Sequence, residues 1–596
     1  MTTEQFIAAK AVEAVQALYG AQLPESVMQV QVTRKDFEGD YTLVVFPLLR
    51  TSRQAPAATA QAIGEWLAAN CPEISGFNAV QGFLNLSLSN IYWREVLEDV
   101  AGDKNFGQLP PTGRKVMVEF SSPNTNKPLH LGHIRNNLLG ASVSDLLKAA
   151  GDDVIKSTLV NDRGVHICKS MYAWEKCFDG ATPQSTGIKG DHLVGDCYVA
   201  FNKLMQEEVN GLVAAGMPKE QAEKEAPCMK AVHEMLVKWE DGDPQVRALW
   251  QMMNGWVFEG FDQTYKALGI SFDKVYYEHD TYLLGKELVQ KGLDNGAFVR
   301  DPDGSVWCDL TADGLDRKLV LRSDGTSVYI TQDLGTAERR FSEDSLDSHV
   351  YVVGDEQNYH FAVLKLILAK LGFEWADRIY HLSYGMVELP EGKMKSREGT
   401  VVDADDLIEK MYEEAKATSE ESGKLEGLAD DEKEKLYRMI GLGALKYFII
   451  KVDPKRKMLF NPRESIDFNG NTGPFIQYTH ARICSILRKA EERGLMHTVA
   501  EIPEGVELSP KEIRLVKILN GYPQKVAEAA AALSPALIAN YAYDLAKEFN
   551  QYYHDTPILR EEDPGLLKMR LVLISTLASV LRKATDILGF SLPERM

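Results

Sequence analysis

The segment His130-Leu131-Gly132-His133 places two imidazoles three residues apart at the predicted start of a helix. A helix N-terminus presents unpaired N–H groups and a partial positive charge to phosphate. Two imidazoles at this spacing can donate hydrogen bonds to a developing pentacovalent phosphate. Gly132 lacks a side chain, so a flat adenine ring could lie against its backbone. The segment predicts a nucleoside triphosphate site, with simple helix capping as the alternative.

A second group of charged residues follows about 260 residues later, in a glycine-flanked loop with the sequence Gly392-Lys393-Met394-Lys395-Ser396-Arg397-Glu398-Gly399. A mobile basic loop at the edge of an active site can stabilise pyrophosphate as it leaves. Taken alone, the same loop is more typical of a solvated surface turn. The loop therefore indicates a pyrophosphate site only in combination with the H-x-G-H segment.

The elements predicted around the first segment form a βαβ unit. Residues 116–118 are a short apolar run typical of a buried parallel strand. A helix begins near His133, and residues 154–160 form the next strand. Such a unit predicts an α/β fold with a doubly wound, Rossmann-like parallel sheet and a site at the carboxyl ends of its strands. Further strands are predicted at residues 306–310, 327–330, 350–353 and 381–387.

Three units are predicted along the chain. Residues 1–108 form a small α/β domain, which a proline-rich linker separates from the next unit. Residues 114–430 form the sheet domain, with a mostly helical insertion at about residues 170–300. Residues 431–596 form an α-helical bundle.

The last unit contains a predicted helix starting at Ser534. Four apolar residues recur along it at helical spacing and are predicted as bundle core: Leu537, Tyr541, Leu545 and Phe549. Three aromatic residues at its end could either fill the core or stack on RNA bases: Tyr552, Tyr553 and His554.

The composition excludes several classes of protein. The 596 residues are 45% hydrophobic and 26% charged, which argues against a disordered, collagen-like or coiled-coil chain. The seven cysteines include no C-x-x-C pair, so we expect neither a disulfide scaffold nor a protein-bound metal. The first residues lack a signal-peptide pattern, and the apolar run at 571–581 is too short to span a membrane. We therefore expect a cytoplasmic protein that has no membrane partner.

Charge is distributed unevenly. The chain has 66 basic and 86 acidic residues, and residues 441–596 hold 21 basic and 18 acidic ones. A net charge of −20 disfavours non-specific nucleic-acid binding. The C-terminal quarter could still present a local basic patch to a specific RNA. The densest cluster of basic residues in this quarter is Lys451, Lys455, Arg456 and Lys457. A solvated basic turn is the alternative interpretation of this cluster.

The H-x-G-H segment and the later K-M loop, on one α/β sheet, together form the signature of class I aminoacyl-tRNA synthetases. The chain resembles the arginyl-tRNA synthetase family over nearly its whole length, less clearly in the insertion. Residues 1–105 resemble that family's N-terminal domain, and residues 550–559 its anticodon-binding domain. The segments that carry the resemblance are Val118-Glu119-Phe120-Ser121-Ser122-Pro123-Asn124, Lys127-Pro128-Leu129-His130, Asn161-Asp162-Arg163-Gly164, Ser323-Asp324-Gly325-Thr326 and Gly470-Asn471-Thr472-Gly473-Pro474-Phe475-Ile476-Gln477-Tyr478.

The resemblance implies an arginine–tRNA ligase, expected to be a monomer. It would activate arginine with ATP, carried as its Mg²⁺ complex, and transfer the arginyl group to the 3′-terminal ribose of tRNA(Arg). The anticodon would bind the helical domain and the outer tRNA corner the N-terminal domain. The residues expected to contact ATP are His130, Gly132, His133, Met394, Ser396 and Arg397.

The resemblance also implies an arginine site formed by Glu119, Asn124, Tyr329, Asp333 and Gln357. A guanidinium is a planar fork of donors that carboxylates and amide oxygens satisfy best. Glu119 and Asp333 are predicted at strand ends, where Tyr329 and Gln357 would add a hydroxyl and an amide. Asn124 would hold the α-amino or carboxyl group. The alternative for Glu119 and Asp333 is helix capping, and the alternative for Tyr329 is packing in the core.

The basic loop departs from the usual Lys-Met-Ser-Lys-Ser. Lys393 matches the first lysine, but alignment on Met394 puts Ser396 where the second lysine belongs. The arginyl family commonly lacks that lysine, and a lysine three residues before H-x-G-H is thought to replace it. Either Lys127 or Lys395 could therefore supply this phosphate-binding charge.

Three rival functions remain at this point. A class I synthetase for another amino acid shares the signature. A nucleotidyltransferase could share the H-x-G-H loop but would not require so long a helical tail. A non-catalytic RNA-binding paralogue should have lost His130, His133 or the basic loop, and this chain retains all three.

Overall fold

The computed structural model describes residues 2–388, 402–422, 427–495 and 502–596. The N-terminal unit is an antiparallel sheet of order β1-β2-β4-β3 with helices packed against it. The predicted small α/β architecture of this unit is confirmed. Its elements are α1 Thr3–Tyr19, β1 Gln29–Val32, β2 Tyr41–Val44, α2 Leu49–Ser52, α3 Pro56–Asn70, β3 Ile74–Val80, β4 Phe83–Leu88 and α4 Asn90–Gly102.

The predicted βαβ unit is present. It consists of β5 Lys115–Glu119, α5 Leu131–Ala149 and β6 Asp153–Val160. Both strands are largely buried, and the apolar side chains of α5 are covered on all sides. This burial explains why β5 is a continuous apolar run rather than an alternating one.

A helical insertion follows β6 and is shorter than predicted. Its helices are α6 Val165–Cys177, α7 Pro183–Thr186, α8 Gly190–Ala214, α9 Lys219–Glu225, α10 Pro227–Glu240 and α11 Pro244–Leu268. The expected end near residue 300 is wrong, because β7 Lys274–Tyr277 pairs in parallel with β6 as an edge strand of the main sheet. A four-residue edge strand is too short to give a periodic signal.

Between residues 278 and 388, the sheet domain contains two α-helices before and two after a small antiparallel sheet of order β10-β9-β8. Residues 327–330 were predicted as a strand, but Tyr329 begins α14. The β-branched and aromatic run at this position is overridden by the helix-forming residues that follow it. The elements are α12 Glu278–Thr281, α13 Lys286–Asp294, β8 Phe298–Arg300, β9 Val306–Cys308, β10 Lys318–Leu321, α14 Tyr329–Asp344, β11 Ser348–Gly354, α15 Asn358–Lys370, β12 Ile379–Tyr384 and β13 Val387–Glu388.

The main sheet has the order β12-β11-β5-β6-β7, and all of its pairs are parallel. Chain order reverses at β5, which lies between β11 and β6. In a doubly wound sheet, ligands bind beyond the carboxyl ends of the strands at such a switch point. The H-x-G-H segment follows β5, so it lies at this crevice.

The C-terminal unit is helical, as predicted. Helix α16 Ala404–Ser422 falls within the predicted bounds of the sheet domain. The elements of the C-terminal unit are α17 Asp430–Ile450, β14 Met458–Leu459, α18 Pro462–Ser465, α19 Gly473–Glu492, α20 Pro510–Asn520, α21 Tyr522–Ala532, α22 Ala536–Asp555 and α23 Pro564–Ile587. In α22, Tyr541, Leu545 and Phe549 are buried, which confirms the predicted core stripe, while Leu537 is half-buried.

Helix α23 has the length and composition of a membrane span, although the shorter apolar run within it was predicted to be too short for one. It is long and apolar enough to cross a membrane, and 56% of its most apolar window is buried against the rest of the protein. Its apolar residues therefore contribute to the core of the helical bundle.

Polar contacts join the three units. Asn520 Nδ2 donates to Thr3 Oγ1 at 2.9 Å, and Lys517 Nζ forms an ion pair with Asp40. These contacts attach α20 to the N-terminal unit. Ser142 Oγ on α5 donates to the carbonyl of Ile587 at 2.8 Å, which attaches the sheet domain to the end of α23.

Candidate active site

Two imidazoles cap the N-terminus of α5. The backbone N–H of Gly132 donates to His130 Nδ1, and the backbone N–H of His130 donates to His133 Nδ1, both at 3.1 Å. The ring centroids lie 3.9 Å apart. We call His130, Gly132 and His133 the phosphate corner. Helix capping therefore uses Nδ1 of each ring and leaves Nε2 for the predicted phosphate site.

Both imidazoles of the phosphate corner are neutral. Burial, with the nearby charge of Lys127, lowers the pKa of His130 to about 4. Burial and the neighbouring His130 and Lys127 also lower the pKa of His133. Because each Nδ1 accepts a hydrogen bond, the single ring proton of each neutral imidazole belongs on Nε2. Among the described residues neither Nε2–H group has a hydrogen-bond acceptor, so both can donate to a ligand.

Residues buried along α5 fix the phosphate corner against the sheet. Arg135 donates to the carbonyls of Met386 at 3.1 Å and Arg456 at 2.8 Å. Asn136 Nδ2 donates to the carbonyl of Val352 in β11 at 2.7 Å. Helix α5 is therefore tied to the carboxyl edge of the sheet within two turns of its start.

The basic loop lies outside the described residues, since residues 389–401 include Lys393, Met394, Lys395, Ser396 and Arg397. Its flanks are described. Before it, β13 pairs with β14. After it, the backbone of Leu131 donates to the carbonyl of Val402 at 3.1 Å, and that of Ala404 donates to the carbonyl of Leu129 at 2.9 Å. The chain therefore re-enters the described structure directly beside the phosphate corner.

A group of ionisable residues anchors the segment that follows the loop. Lys189 Nζ lies 2.6 Å from Asp405 Oδ2 and 3.3 Å from Asp191 Oδ2. Burial opposes ionisation of Asp405, but hydrogen bonds from His192 and Lys189 lower its pKa to about 2. The ligand-type atoms of Asp191, His192 and Asp405 lie within 4.8 Å of one another. Because the Lys189 ammonium already pairs with both carboxylates, the arrangement fits an ion-pair network better than a metal site.

Asp333 and Tyr329 lie on α14, and Gln357 lies shortly after β11. Asp333 is in the second turn of α14, and its Oδ2 lies 2.6 Å from His360 Nε2. The prediction that Asp333 follows a strand is wrong. The spacing of Tyr329 and Asp333 instead places both on one helix face. Tyr329 is 77% exposed, and Gln357 is exposed beyond the end of β11.

Glu278 is an acidic residue that the sequence reasoning missed. It begins α12, directly after β7. Burial raises its pKa to about 7, Asp162 and Asp333 contribute to the rise, and Arg163 opposes it. Glu278 and Asp333 are therefore close enough to interact. Two carboxylates that share a partly buried space favour binding of a cation between them.

Glu119, at the end of β5, is already paired within the chain. Its carboxylate forms an ion pair with Arg340 of α14, and both side chains are buried. The Arg340 guanidinium also lies 4.5 Å from the centroid of the Tyr276 ring. The expectation that Glu119 itself contacts a substrate guanidinium is therefore not met in this arrangement.

Asn124 lies at the opening between β5 and β6. It forms an isolated parallel bridge with Asn161, and the backbone of Thr125 donates to the carbonyl of Asn161 at 3.1 Å. Its side chain is exposed. This position is beside the switch point of the sheet, near the phosphate corner in sequence.

Comparisons with known proteins show the family to which the chain belongs. A family model described as tRNA synthetases class I (R), catalytic domain, matches residues 96–461, and one described as DALR anticodon binding domain matches residues 476–596. The arginine–tRNA ligase of Bacteroides thetaiotaomicron is 56% identical over 598 residues and covers 100% of both chains. The chain belongs to the class I arginyl-tRNA synthetase family. The resemblance stated from the sequence is confirmed.

Other members of the family extend the comparison. The arginine–tRNA ligase of Porphyromonas gingivalis is 54% identical, with full coverage of both chains. The arginyl-tRNA synthetase structure from Thermus thermophilus matches with a TM-score of 0.78 and 26% identity over 100% of each chain. That from Plasmodium falciparum matches with a TM-score of 0.73 at 18% identity, which supports the fold.

Proposed function

We propose that this synthetase activates arginine with ATP and transfers it to tRNA(Arg) at the carboxyl edge of the five-stranded sheet. The observation that carries the proposal is the pairing of two sites at that edge. Neutral imidazole donors lie at the start of α5, after β5, and Glu278 follows β7 and interacts with Asp333. Phosphate and guanidinium are the groups that these two sites would bind.

In the first step, the arginine carboxylate attacks the α-phosphorus of ATP in line, and pyrophosphate leaves. The Nε2–H groups of His130 and His133 donate to the phosphate oxygens as negative charge develops. Mg²⁺ enters bound to ATP. In the second step, a hydroxyl of the 3′-terminal ribose attacks the arginyl carbonyl, and AMP leaves. Positioning supplies most of the catalysis, because no protein nucleophile is required.

In the proposed arginine site, Asp333 and Glu278 bind the guanidinium. Tyr329 and Gln357 contribute a hydroxyl and an amide, and Asn124 binds the α-amino or carboxyl group. Glu119 acts indirectly, since it holds Arg340 and so the position of α14. The lysine that contacts ATP phosphate is Lys127, whose charge already acts on both corner imidazoles.

A pair of variants tests the choice of lysine. We expect Lys127→Ala to lower the rate of ATP turnover strongly and Lys395→Ala to lower it less. If Lys127→Ala leaves turnover intact while Lys395→Ala abolishes it, Lys127 is not the phosphate-binding lysine. Steady-state kinetics with varied ATP measures both effects.

The tRNA contacts are proposed for the two outer units, with the outer corner on residues 1–108 and the anticodon on residues 431–596. A cavity of about 420 Å³ in the helical unit supports the second assignment. The guanidinium of Arg482 lies 4.8 Å from the Tyr478 ring centroid and 5.7 Å from that of Tyr553. Stacked aromatic and guanidinium planes are suited to splayed bases.

A charging assay tests the whole proposal. Radiolabelled arginine, ATP and total tRNA are incubated with the protein, and acid-insoluble label is counted on filters. We expect label on tRNA with arginine and none with other amino acids. We also expect no arginine-dependent ATP–pyrophosphate exchange until tRNA is added. Robust exchange without tRNA would refute that last expectation.

Light scattering and cell fractionation check the proposed monomer and the cytoplasmic location.

A further inference from the structure

Three basic side chains lie beside the phosphate corner, on the side of the helical insertion: Lys127, His166 and Lys169. Burial, followed by the charges of Lys169 and Lys127, lowers the pKa of His166. The charge of Lys127 acts on the corner imidazoles as well. The neutral imidazole donors of the phosphate corner are therefore followed by the charges of Lys127 and, on helix α6, Lys169.

Helix α8 packs directly on the backbone of Lys127. A Cβ built on Gly195 of α8 would lie 2.9 Å from Cδ of Pro128 and 3.8 Å from Cα of Lys127. Only glycine allows this close approach. The insertion is therefore fixed against the segment that leads into the phosphate corner.

The next two turns of α8 position the other basic residues. The hydroxyl of Tyr198 lies 3.2 Å from His166 Nδ1, and the Nζ of Lys169 lies 5.4 Å from the centroid of the Phe201 ring. His166 and Lys169 are three residues apart on α6, so they share one helix face. Both helices thus hold these side chains on the surface that adjoins Lys127.

Neither Lys127 nor Lys169 has a carboxylate partner in the part of the chain that the structure describes. Burial lowers the pKa of both lysines. Lys169 is half-buried without a carboxylate counter-ion among the described residues, which costs free energy, and an anion bound beside its ammonium recovers part of that cost. The cluster therefore fits a phosphate group supplied from outside the chain.

We propose that His166, Lys169 and Tyr198 bind a backbone phosphate of the 3′-terminal nucleotides of tRNA. The inference rests on the proposed function and adds to it a docking site for the acceptor end. The terminal ribose must reach the activated carboxyl beside the phosphate corner, so the phosphates that precede it must lie just outside. His166 and Lys169 occupy that outer position, whereas Lys127 adjoins the ATP phosphates. ATP is the other possible source of the bound phosphate.

Binding of two RNAs tests the assignment. One is intact tRNA(Arg), and the other lacks its three 3′-terminal nucleotides. We expect Lys169→Met, which can still pack on Phe201, to weaken binding of intact tRNA roughly 10-fold, because a charged hydrogen bond to phosphate is lost. The slope of log K against log salt should fall by roughly 0.7. Binding of the shortened tRNA and the KM for ATP should not change.

Two control variants accompany Lys169→Met. Lys169→Arg keeps the charge and should restore binding of intact tRNA. Lys176→Met removes a lysine two turns along α6, whose Nζ lies 5.8 Å from the Tyr172 ring centroid, and should behave as wild type. This control separates a local contact from a general loss of positive charge.

Equal weakening for both RNAs, or no weakening, would overturn the proposal. A rise in the KM for ATP with unchanged tRNA binding would assign the phosphate to ATP and also overturn it. Charging by the wild-type protein is measured first. If the wild type does not attach arginine to tRNA, the proposed function fails, which is a separate result from an unchanged Lys169→Met variant.

Discussion

At the level of single residues, the phosphate corner depends on the absence of a side chain at Gly132. A Cβ there would lie 2.9 Å from Cε1 and 3.1 Å from Nδ1 of His130. Gly132→Ala should displace the ring and break its bond to the backbone. We expect kcat to fall roughly 100-fold, as when one transition-state donor is removed, with little change in the KM for arginine. Steady-state aminoacylation measures both constants.

Gly211→Ala is the matched control for this change. Gly211 lies in the last turn of α8, and a Cβ there would meet no atom within 4 Å. Activity should be unchanged, and the thermal midpoint should rise slightly, since alanine stabilises a helix by about 0.5–1 kcal/mol relative to glycine. Full activity of Gly132→Ala would contradict the proposed role of the His130 ring.

Glu278 predicts a pH dependence of arginine binding. With a pKa of about 7 in the free protein instead of the ordinary 4.5, its carboxyl is protonated below that pH and becomes a guanidinium ligand above it. The kcat/KM for arginine should rise between about pH 6 and 8. His130 titrates near pH 4, so it does not contribute in this window. Rates measured across this range test the prediction.

Glu278→Gln should lower kcat/KM for arginine and flatten its rise with pH. Glu259→Gln, an exposed change on α11, should leave the profile as in wild type. A profile that keeps its rise in Glu278→Gln would show that another group titrates. The same raised pKa predicts that ionisation of Glu278 costs stability, because the folded state retains a proton that the unfolded state releases between pH 4.5 and 7.

Sequence reasoning identified the residues that belong to contiguous segments and missed those that the fold brings together. His130, His133 and Lys127 share a short stretch of chain, so their proximity follows from local geometry. Glu278 reaches Asp333 only because β7 and α14 meet across the sheet. Arg340 pairs with Glu119 for the same reason. No local pattern at these positions distinguishes them from ordinary surface residues.

At the level of secondary-structure elements, the pair between Arg340 and Glu119 joins α14 to the end of β5. Arg340→Met should cost about 3–5 kcal/mol, because it leaves a buried carboxylate without its partner. The double variant Glu119→Met/Arg340→Met should recover most of that loss. Urea unfolding followed by fluorescence measures both. A double variant as unstable as Arg340→Met alone would show that the ion pair stabilises the folded protein by more than neutralising the two buried charges.

The prediction of elements succeeded where one physical signal dominated. The buried run of β5 and the apolar stripe of α22 have a single interpretation, and both are confirmed. At the start of α14, residues that favour a strand are followed by residues that favour a helix. Tertiary packing decides that this segment is helical. Strand β7 is a four-residue edge strand, so the helical insertion was predicted to extend through it.

At the level of the whole molecule, α20 attaches the N-terminal unit to the helical bundle. Lys517→Met with Asn520→Ala removes two of the polar contacts between them. We expect the KM for tRNA to rise several-fold with the KM values for ATP and arginine unchanged, because the two tRNA-binding units lose their fixed orientation. Limited proteolysis should cut faster within residues 103–113. Lys525→Met, which removes an ion pair within α21, should change neither.

Helix α5 runs through 19 residues, roughly 28 Å at 1.5 Å per residue. One end carries the imidazoles that would face the adenylate, and Ser142 bonds to the end of α23. A close-packed helix transmits displacement without absorbing it. Helix α5 therefore connects the unit proposed to bind the anticodon rigidly to the site of the reaction. Substitutions that make α5 more flexible should weaken discrimination between tRNAs before they lower the rate of aminoacylation.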